Sequence, residues 1–321
     1  MLQIAAAYVV DLIAGDPRHI PHPVVLIGKI IEWLERLLRK WTAPVVGLKV
    51  SGVMLAVGTI SATYLIMSGI IAGAYKINYW LGLLTSIWFL SSTIAVKGLG
   101  CAAMEIYTLL KTGNLSEARK KVGWIVGRDT QNLGEGEISR ATIETVAENI
   151  VDGIVAPLFY GFIGGAPLAM SYKAVNTLDS MVGYKNDKYM ELGWASARFD
   201  DICNYIPARL TGVFLLIAFL FTGKPVNKAI KIIVRDSSGH PSPNSGIPEA
   251  AVAGALGIRL GGVNYYDGVE SFRTYMGEPV NSISKSHILD TVRIMYITSL
   301  ISVLTGSLAV YALQWLTVRL N

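Results

Sequence analysis

Charged residues cut the chain into long uncharged runs separated by polar stretches. Lys49 and Lys76 enclose 26 uncharged positions, Lys76 and Lys97 enclose 20, Asp152 and Lys173 enclose 20, and Arg293 and Arg319 enclose 25. Asp201 and Lys224 enclose 22 more, interrupted only by Arg209. A helix needs about 20 mostly apolar residues to cross the hydrocarbon core of a bilayer. The pattern therefore predicts spans near 50–75, 77–96, 153–172, 202–223 and 294–318. The expected fold class is all-α: a polytopic helical membrane protein with four to five spans, forming one membrane-embedded domain over 1–321. The polar segments 97–152, 173–201 and 224–290 are expected to build a site at the membrane face. Run 153–172 carries Gly153, Pro157, Gly161, Gly164, Gly165 and Pro167, so a broken helix is expected there, shielded by protein or water.

Between these runs the period changes. Residues 25–41 place Ile27, Ile30, Ile31, Leu34, Leu37, Leu38 and Trp41 mostly on one side and Lys29, Glu32, Arg36, Arg39 and Lys40 mostly on the other. That is an amphipathic helix, either lying in the membrane interface or packed on a protein surface. Residues 103–122 read as a helix, a Gly-Asn stop and a second helix, and 137–152 and 194–206 read as helices. Residues 236–248 read as an ordered loop fixed by Pro241, Pro243 and Pro248, 249–258 as helix-compatible, and 261–268 as a turn-rich stretch. Segment 28–49 has five Lys/Arg against two Glu, which places it in the cytoplasm by the positive-inside rule. Segment 173–201, with four basic and five acidic residues, has no such bias.

Composition narrows the picture. Charged residues make up 16% of the 321 positions and the hydrophobic set 52%, where an ordinary soluble domain carries about 25% charge. Disorder is excluded, and two cysteines exclude a disulfide scaffold. The net charge of +5 is spread along the chain, so nucleic acid is not an expected partner.

Candidate chemistry gathers at the borders of the apolar runs. Arg140, Glu144, Glu148 and Asp152 recur every four residues and keep to one helical face. Three carboxylates on one face repel unless a cation lies among them, so Glu144, Glu148 and Asp152 are candidate Mg²⁺ ligands. The alternative is a solvated face with an Arg140–Glu144 pair. Asn176, Asp179 and Ser180 fall within one turn, with Lys185 following. Arg198 with Asp201, and Asp200 with Asn204, have pairing spacings, which is either an internal network or a functional border cluster. Gly127-Arg128-Asp129-Thr130 has the form of a turn that presents Arg128 to a phosphate. The loop with His240, Ser242, Asn244, Ser245 and Glu249 offers donors and acceptors on a stiff backbone. Asp16, Arg18, His19 and His22 share a proline-braced loop. No phosphate-binding glycine loop, dinucleotide fingerprint or zinc-protease motif is present.

Six blocks carry a resemblance: GDPRHIPHPVVLIGKII, GRDT, ISRATIETVAENIVDGIVAPLFY, GGAPLAMSYKAVNTLDSMVGYKN, ASARFDDICNYIPARLTG, and HPSPNSGIPEAAVAGALGIRLGG followed by NYY. They run from about 15 to 266, in the order found in the adenosylcobinamide-phosphate synthase family, which this chain resembles. The resemblance implies an integral protein of the cell membrane that joins a carboxylate of adenosylcobyric acid to (R)-1-aminopropan-2-ol phosphate or a related amino alcohol. ATP is the implied co-substrate, Mg²⁺ the implied ion and the corrinoid the implied substrate. Other membrane enzymes of the cobalamin pathway are conceivable partners beside the lipid bilayer.

Such chemistry needs a base, cations and metal ligands. The matching blocks supply Glu148, Asp179, Asp201 and His240 as candidate catalytic groups. Arg128, Asp129, Arg140, Asn176, Lys185, Arg198, Asn204, Ser242, Asn244, Ser245 and Asn264 are the candidate substrate and phosphate contacts. The loop 235–249 and helix 137–152 are expected to meet at one cleft, with Asn176, Asp179, Asp200 and Asp201 nearby. Competing readings are an intramembrane Mg²⁺-dependent prenyl- or alcohol-phosphate transferase and a transporter with 153–172 as its broken helix.

Overall fold

The computed structural model describes residues 2–15, 22–184 and 186–320. Asp16, Arg18, His19 and Lys185 lie outside the described residues. In chain order the helices are α1 Leu2–Ala14, α2 Pro23–Trp41, α3 Ala43–Val46, α4 Leu48–Ile77, α5 Tyr79–Ser91, α6 Val96–Lys111, α7 Leu115–Val122 and α8 Glu135–Ile150. A π turn, Val151–Val155, leads into α9 Ala156–Val182. Then come α10 Trp194–Cys203, α11 Tyr205–Thr222, α12 Val226–Asp236, a 3₁₀ turn Ser237–Gly239 and α13 Gly246–Leu256. Strands β1 Arg259–Tyr266 and β2 Val269–Gly277 precede α14 Ser286–Leu320. The chain is an all-α polytopic membrane protein with one small hairpin. Five stretches are long and apolar enough to cross a membrane: Leu48–Ile77, Tyr79–Lys111, Glu135–Val182, Tyr205–Thr222 and Ser286–Arg319. Each contains most or all of one run expected from the charge spacing.

The chain forms two compact units. The first comprises Met1–Ala95, Ala156–Asn204 and Val303–Asn321. Here α4 runs 30 residues because only Lys49 and Lys76 carry charge in it. Asn78 ends it and caps α5, its Oδ1 accepting from the Trp80 amide at 2.8 Å. Leu55 and Ala56 of α4 pack with Ile27, Ile31 and Leu38 of α2 and with Ala174, Leu178 and Val182 of α9. Gly52 lies where an added Cβ would meet the Leu192 carbonyl oxygen at 2.1 Å, so only glycine allows this approach. The apolar side of α2 is divided. Ile27, Ile31 and Leu38 enter the core, whereas Leu26, Trp33, Leu37 and Trp41 are exposed. Helix α9 breaks at Gly164 and at Gly165 (φ +64), just before Pro167, at the position the sequence marks for a broken span.

The second unit comprises Val96–Val155 and Tyr205–Ser302. The α6–α7 corner turns at Gly113, and Asn114 caps α7 by accepting from the Glu117 amide at 3.2 Å. Helices α12 and α13 pack closely at Gly254, where a Cβ would meet the Ala229 Cα at 2.8 Å. Two expectations need correction. Residues 261–268 are not a free turn: 261–266 complete β1, which pairs antiparallel with β2 in the register Val263↔Phe272. Asp267 (φ 51) and Gly268 (φ 77) make the tight hairpin turn, which needs two residues of positive φ. Residues 235–249 are not one loop either. Arg235 and Asp236 end α12 and Gly246 to Glu249 begin α13, so only 240–245 is irregular after the 3₁₀ turn.

Candidate functional site

The polar centre of the second unit is built on α8. Its first turn is closed by the Glu137 side chain, which accepts from the Gly134 amide at 3.0 Å. One turn further, Arg140 and Glu144 are buried, with side chains 10% and 5% exposed. Glu144 Oε2 accepts from Arg128 at 2.7 Å, and its Oε1 accepts from the Gly261 amide at 2.8 Å and from Arg140 at 3.4 Å. Arg140 also donates to the carbonyls of Gly261 and Val263 and to Asn264 Oδ1, which accepts from Arg128 as well. Asp129 holds the far end of the hairpin: its amide donates to the Tyr265 carbonyl and its carboxylate accepts from the Gly268 amide, both at 2.8 Å. The structure thus brings together Arg128, Asp129, Arg140, Glu144 and Asn264, from three separate stretches of sequence. Their polar groups tie β1 to α8. An open cleft of about 360 Å³ lies beside the knot, lined by Gly134, Glu137, Arg140, Arg259, Asn281 and Ser282 among others.

The expected convergence of helix 137–152 with the 235–249 segment is found. Ser245 Oγ donates to Glu148 Oε1 at 3.1 Å. The turn is internally braced, since Ser242 Oγ accepts from the Asn244 and Ser245 amides, each at 3.3 Å. Arg209 of α11 donates to Asn244 Oδ1 at 3.3 Å. Gly246 leaves no room for a side chain, because a Cβ there would meet the Ser237 carbonyl oxygen at 2.2 Å. His240 and Glu249 face each other across this turn with Nε2 and Oε1 3.4 Å apart, within ion-pair reach but without hydrogen-bond geometry. Burial pushes the Glu249 carboxyl up. Burial alone would lower His240, but the Glu249 carboxylate outweighs it and holds the imidazole above its ordinary value. Arg273 of β2, opposed by burial, is held up by Glu249, Tyr266, Glu148 and Glu144.

The remaining candidates belong to the first unit. Lys173 reaches Asn176 Oδ1 at 3.5 Å, and Ser180 bonds the Asn176 carbonyl at 2.8 Å. Asp179 packs so closely on Gly183 that a Cβ there would meet its Oδ1 at 2.0 Å. Arg198 pairs with Asp201 at 3.3 Å, and Asn204 donates to Asp200 at 3.0 Å and accepts from the Tyr172 hydroxyl at 2.8 Å. These are the pairings the spacing suggested. Asp152 is half-buried in the π turn.

Glu144 is not free to hold a resident Mg²⁺ ion. Both Glu144 oxygens are taken by two guanidinium groups and an amide. Among the described residues no group of three or more His, Cys, Asp or Glu is gathered as a metal cage would require. The charge of Glu144 is met by Arg128 and Arg140. Sequence reasoning missed Arg273, and it named Glu249 only among the donors and acceptors of its loop, not as a site residue. The hairpin signal Tyr-Asp-Gly-Val at 266–269 would have paired β2 with β1 and drawn Arg273 to the site.

The model of the CobD/Cbib protein family matches residues 4–295. The cobalamin biosynthesis protein CbiB of Salmonella typhimurium is 46% identical over 293 residues, covering 91% of this chain and 92% of that protein. The cobalamin biosynthesis protein CobD of Klebsiella pneumoniae is 44% identical over 299 residues, covering 93% and 94%. No solved structure matches.

Proposed function

The chain belongs to the CobD/CbiB family, whose curated members act in cobalamin biosynthesis, and on that premise we propose that it is an ATP-dependent acid–amine ligase of the cell membrane. Its substrates would be adenosylcobyric acid and (R)-1-aminopropan-2-ol phosphate or a related amino alcohol. A carboxylate is a poor electrophile and must be activated, most simply as an acyl phosphate formed with ATP. The amine, once deprotonated, forms the amide bond as phosphate leaves. ATP arrives with Mg²⁺, which neutralises charge on the phosphates.

The observation that carries this reading is the Ser242–Ser245 turn braced against Glu148, with Glu144, Glu249 and the Arg273 cation around it. Arg128 and Arg140 are tied into the knot, so their task is to hold β1 and α8. Arg273 has no such knot and is the better cation for a phosphoryl group. Glu148, held by Ser245, would take the proton from the incoming ammonium. Asn244 and the serine hydroxyls suit the amide-rich rim of a corrin. Asp179 and Asp201 stay as candidate catalytic groups, and Asn176, Lys185, Arg198 and Asn204 as candidate substrate contacts.

The test is product analysis. Purified protein in detergent, given adenosylcobyric acid, ATP, Mg²⁺ and aminopropanol phosphate, is expected to release phosphate and form adenosylcobinamide phosphate in equal amounts. Amide formed without ATP, or no amide with every substrate present, would reject the ligase reading.

A further inference from the structure

Glu249 has no task in the proposal above. It lies fully buried in the first turn of α13, and neither carboxylate oxygen accepts a hydrogen bond from any described residue. A buried carboxylate in that state is costly and uncommon. The polar atom facing it is His240 Nε2, 3.4 Å away, buried and equally without a hydrogen-bond partner among the described residues. The other edge of the imidazole is engaged. Nδ1 lies 3.0 Å from the Ser242 amide nitrogen and 3.1 Å from the Ser242 carbonyl oxygen.

Those two contacts are alternatives. A bare Nδ1 accepts from the amide, and a protonated Nδ1 donates to the carbonyl. Nε2 is on the Glu249 side of the ring, and it carries a hydrogen in the imidazolium and in the neutral tautomer with bare Nδ1. The proton on the ring therefore selects which group of Ser242 is held. Ser242 in turn fixes the Asn244 and Ser245 amides through its hydroxyl, and Ser245 reaches Glu148 at 3.1 Å.

We propose that Glu249 and His240 form a positioning pair that holds the Ser242–Ser245 turn in register with Glu148 through a proton kept on the imidazole. The kinetic part of this inference rests on the ligase reading. The charged groups facing Glu249 are His240 from the loop, Arg273 from β2, and Glu148 and Glu144 from α8. Burial lowers His240, Glu249 and Glu148 raise it, Arg273 opposes them, and the net direction is up. A raised imidazole value keeps the carbonyl contact in place below that value, and Nδ1 passes to the Ser242 amide as pH rises through it. At the acid end protonation of Glu249, itself raised by burial, ends the ion pair. Removing the Glu249 charge brings the switch of contacts to lower pH.

The experiment uses the full chain in detergent, as wild type, Glu249→Gln and Ser242→Ala. Amide formation and backbone hydrogen exchange over 240–246 are followed between about pH 5 and 9, a range that brackets an ordinary imidazole. For Glu249→Gln, kcat/KM is expected to fall about 100-fold, the scale of a misplaced site. Its pH limb is expected to move toward acid by about one unit or more, and the exchange transition in 240–246 to move with it. Ser242→Ala should raise exchange at the Asn244 and Ser245 amides relative to their intrinsic rates and uncouple their protection from the titration of the imidazole. Wild-type pH limb and exchange transition in Glu249→Gln would overturn the proposal. If that variant does not purify, unchanged exchange in Ser242→Ala would do so. Absence of amide product from the wild type would sink the ligase reading alone, because the exchange measurements still decide the pair.

Discussion

Helices α4 and α8 both bury polar side chains, but hydroxyls of α4 and the charges of α8 are satisfied in opposite ways. In α4 the Ser51 and Thr63 hydroxyls donate to carbonyls four residues back, Gly47 and Thr59, at 3.0 and 2.8 Å. In α8 the charges find partners far along the chain: Glu144 with Arg128, 16 residues away, and Arg140 with Asn264, 124 residues away. A helix that closes its own hydrogen bonds can be placed in lipid before any neighbour arrives. A helix carrying buried charges needs those neighbours in place, because an unpaired charge is far costlier than an unpaired hydroxyl. The first arrangement makes a span, and the second makes a centre around which the second unit must be organised.

The comparison is most exposed at Glu144. Glu144→Ala would leave Arg128 and Arg140 buried against each other with no anion between them. Breaking one side of a buried pair in this way costs about 3–5 kcal/mol, and the hairpin should lose its anchor on α8. Denaturant or thermal unfolding in detergent measures the loss, and protease sensitivity within 259–277 reports the hairpin. A cost below about 1 kcal/mol, the scale of an exposed pair, would mean that α8 resembles α4 after all.

The same contrast explains what the sequence discloses. The spans were legible because lipid demands about 20 apolar residues in a row, and 50–75 or 294–318 meets that demand without reference to any other segment. The break at Gly164–Gly165 was legible for the same local reason. So were the Arg198–Asp201 and Asp200–Asn204 pairs, one helical turn apart. The partners of Glu144 were not, because no spacing rule links 128, 144 and 261. The four-residue repeat of Arg140, Glu144, Glu148 and Asp152 therefore looked like a cation-binding stripe, although Glu144 is turned to guanidinium groups. The strand through Gly261 and Gly262 was hidden as well. Two glycines read as a turn, yet Gly261 is required because a Cβ there would lie 2.4 Å from the Thr274 carbonyl oxygen of the paired strand.

A smaller effect is expected at Ser245, which lies between the two extremes. Its hydroxyl donates to a charged partner, Glu148, 97 residues away, but Ser245→Ala leaves no new charge unpaired. Hydrogen bonds to charged groups contribute about 1.5–3 kcal/mol, so stability should fall by about that amount or less. Turnover should fall further than stability, because the turn would no longer be fixed against α8. Purified Ser245→Ala protein with wild-type kcat at a temperature where it is fully folded would separate this contact from the site.

The smallest effect belongs to α4, and it sharpens the comparison from the other side. Thr63 is 6% exposed, and its hydroxyl returns to the Thr59 carbonyl of its own helix. That carbonyl is already the acceptor of the helical ladder, so it keeps a partner when the hydroxyl is lost. Valine retains the branched shape of threonine, and it removes a polar atom from an apolar setting. Side-chain hydrogen bonds between membrane helices average about 0.6 kcal/mol, and a bond within one helix should not exceed that. Thr63→Val is therefore expected to change the unfolding midpoint in detergent little, in either direction, and to leave the rate of amide formation unaltered. A loss comparable to that of Ser245→Ala would show that α4 uses its hydroxyls between helices, and the distinction between self-contained spans and a cross-linked centre would have to be given up.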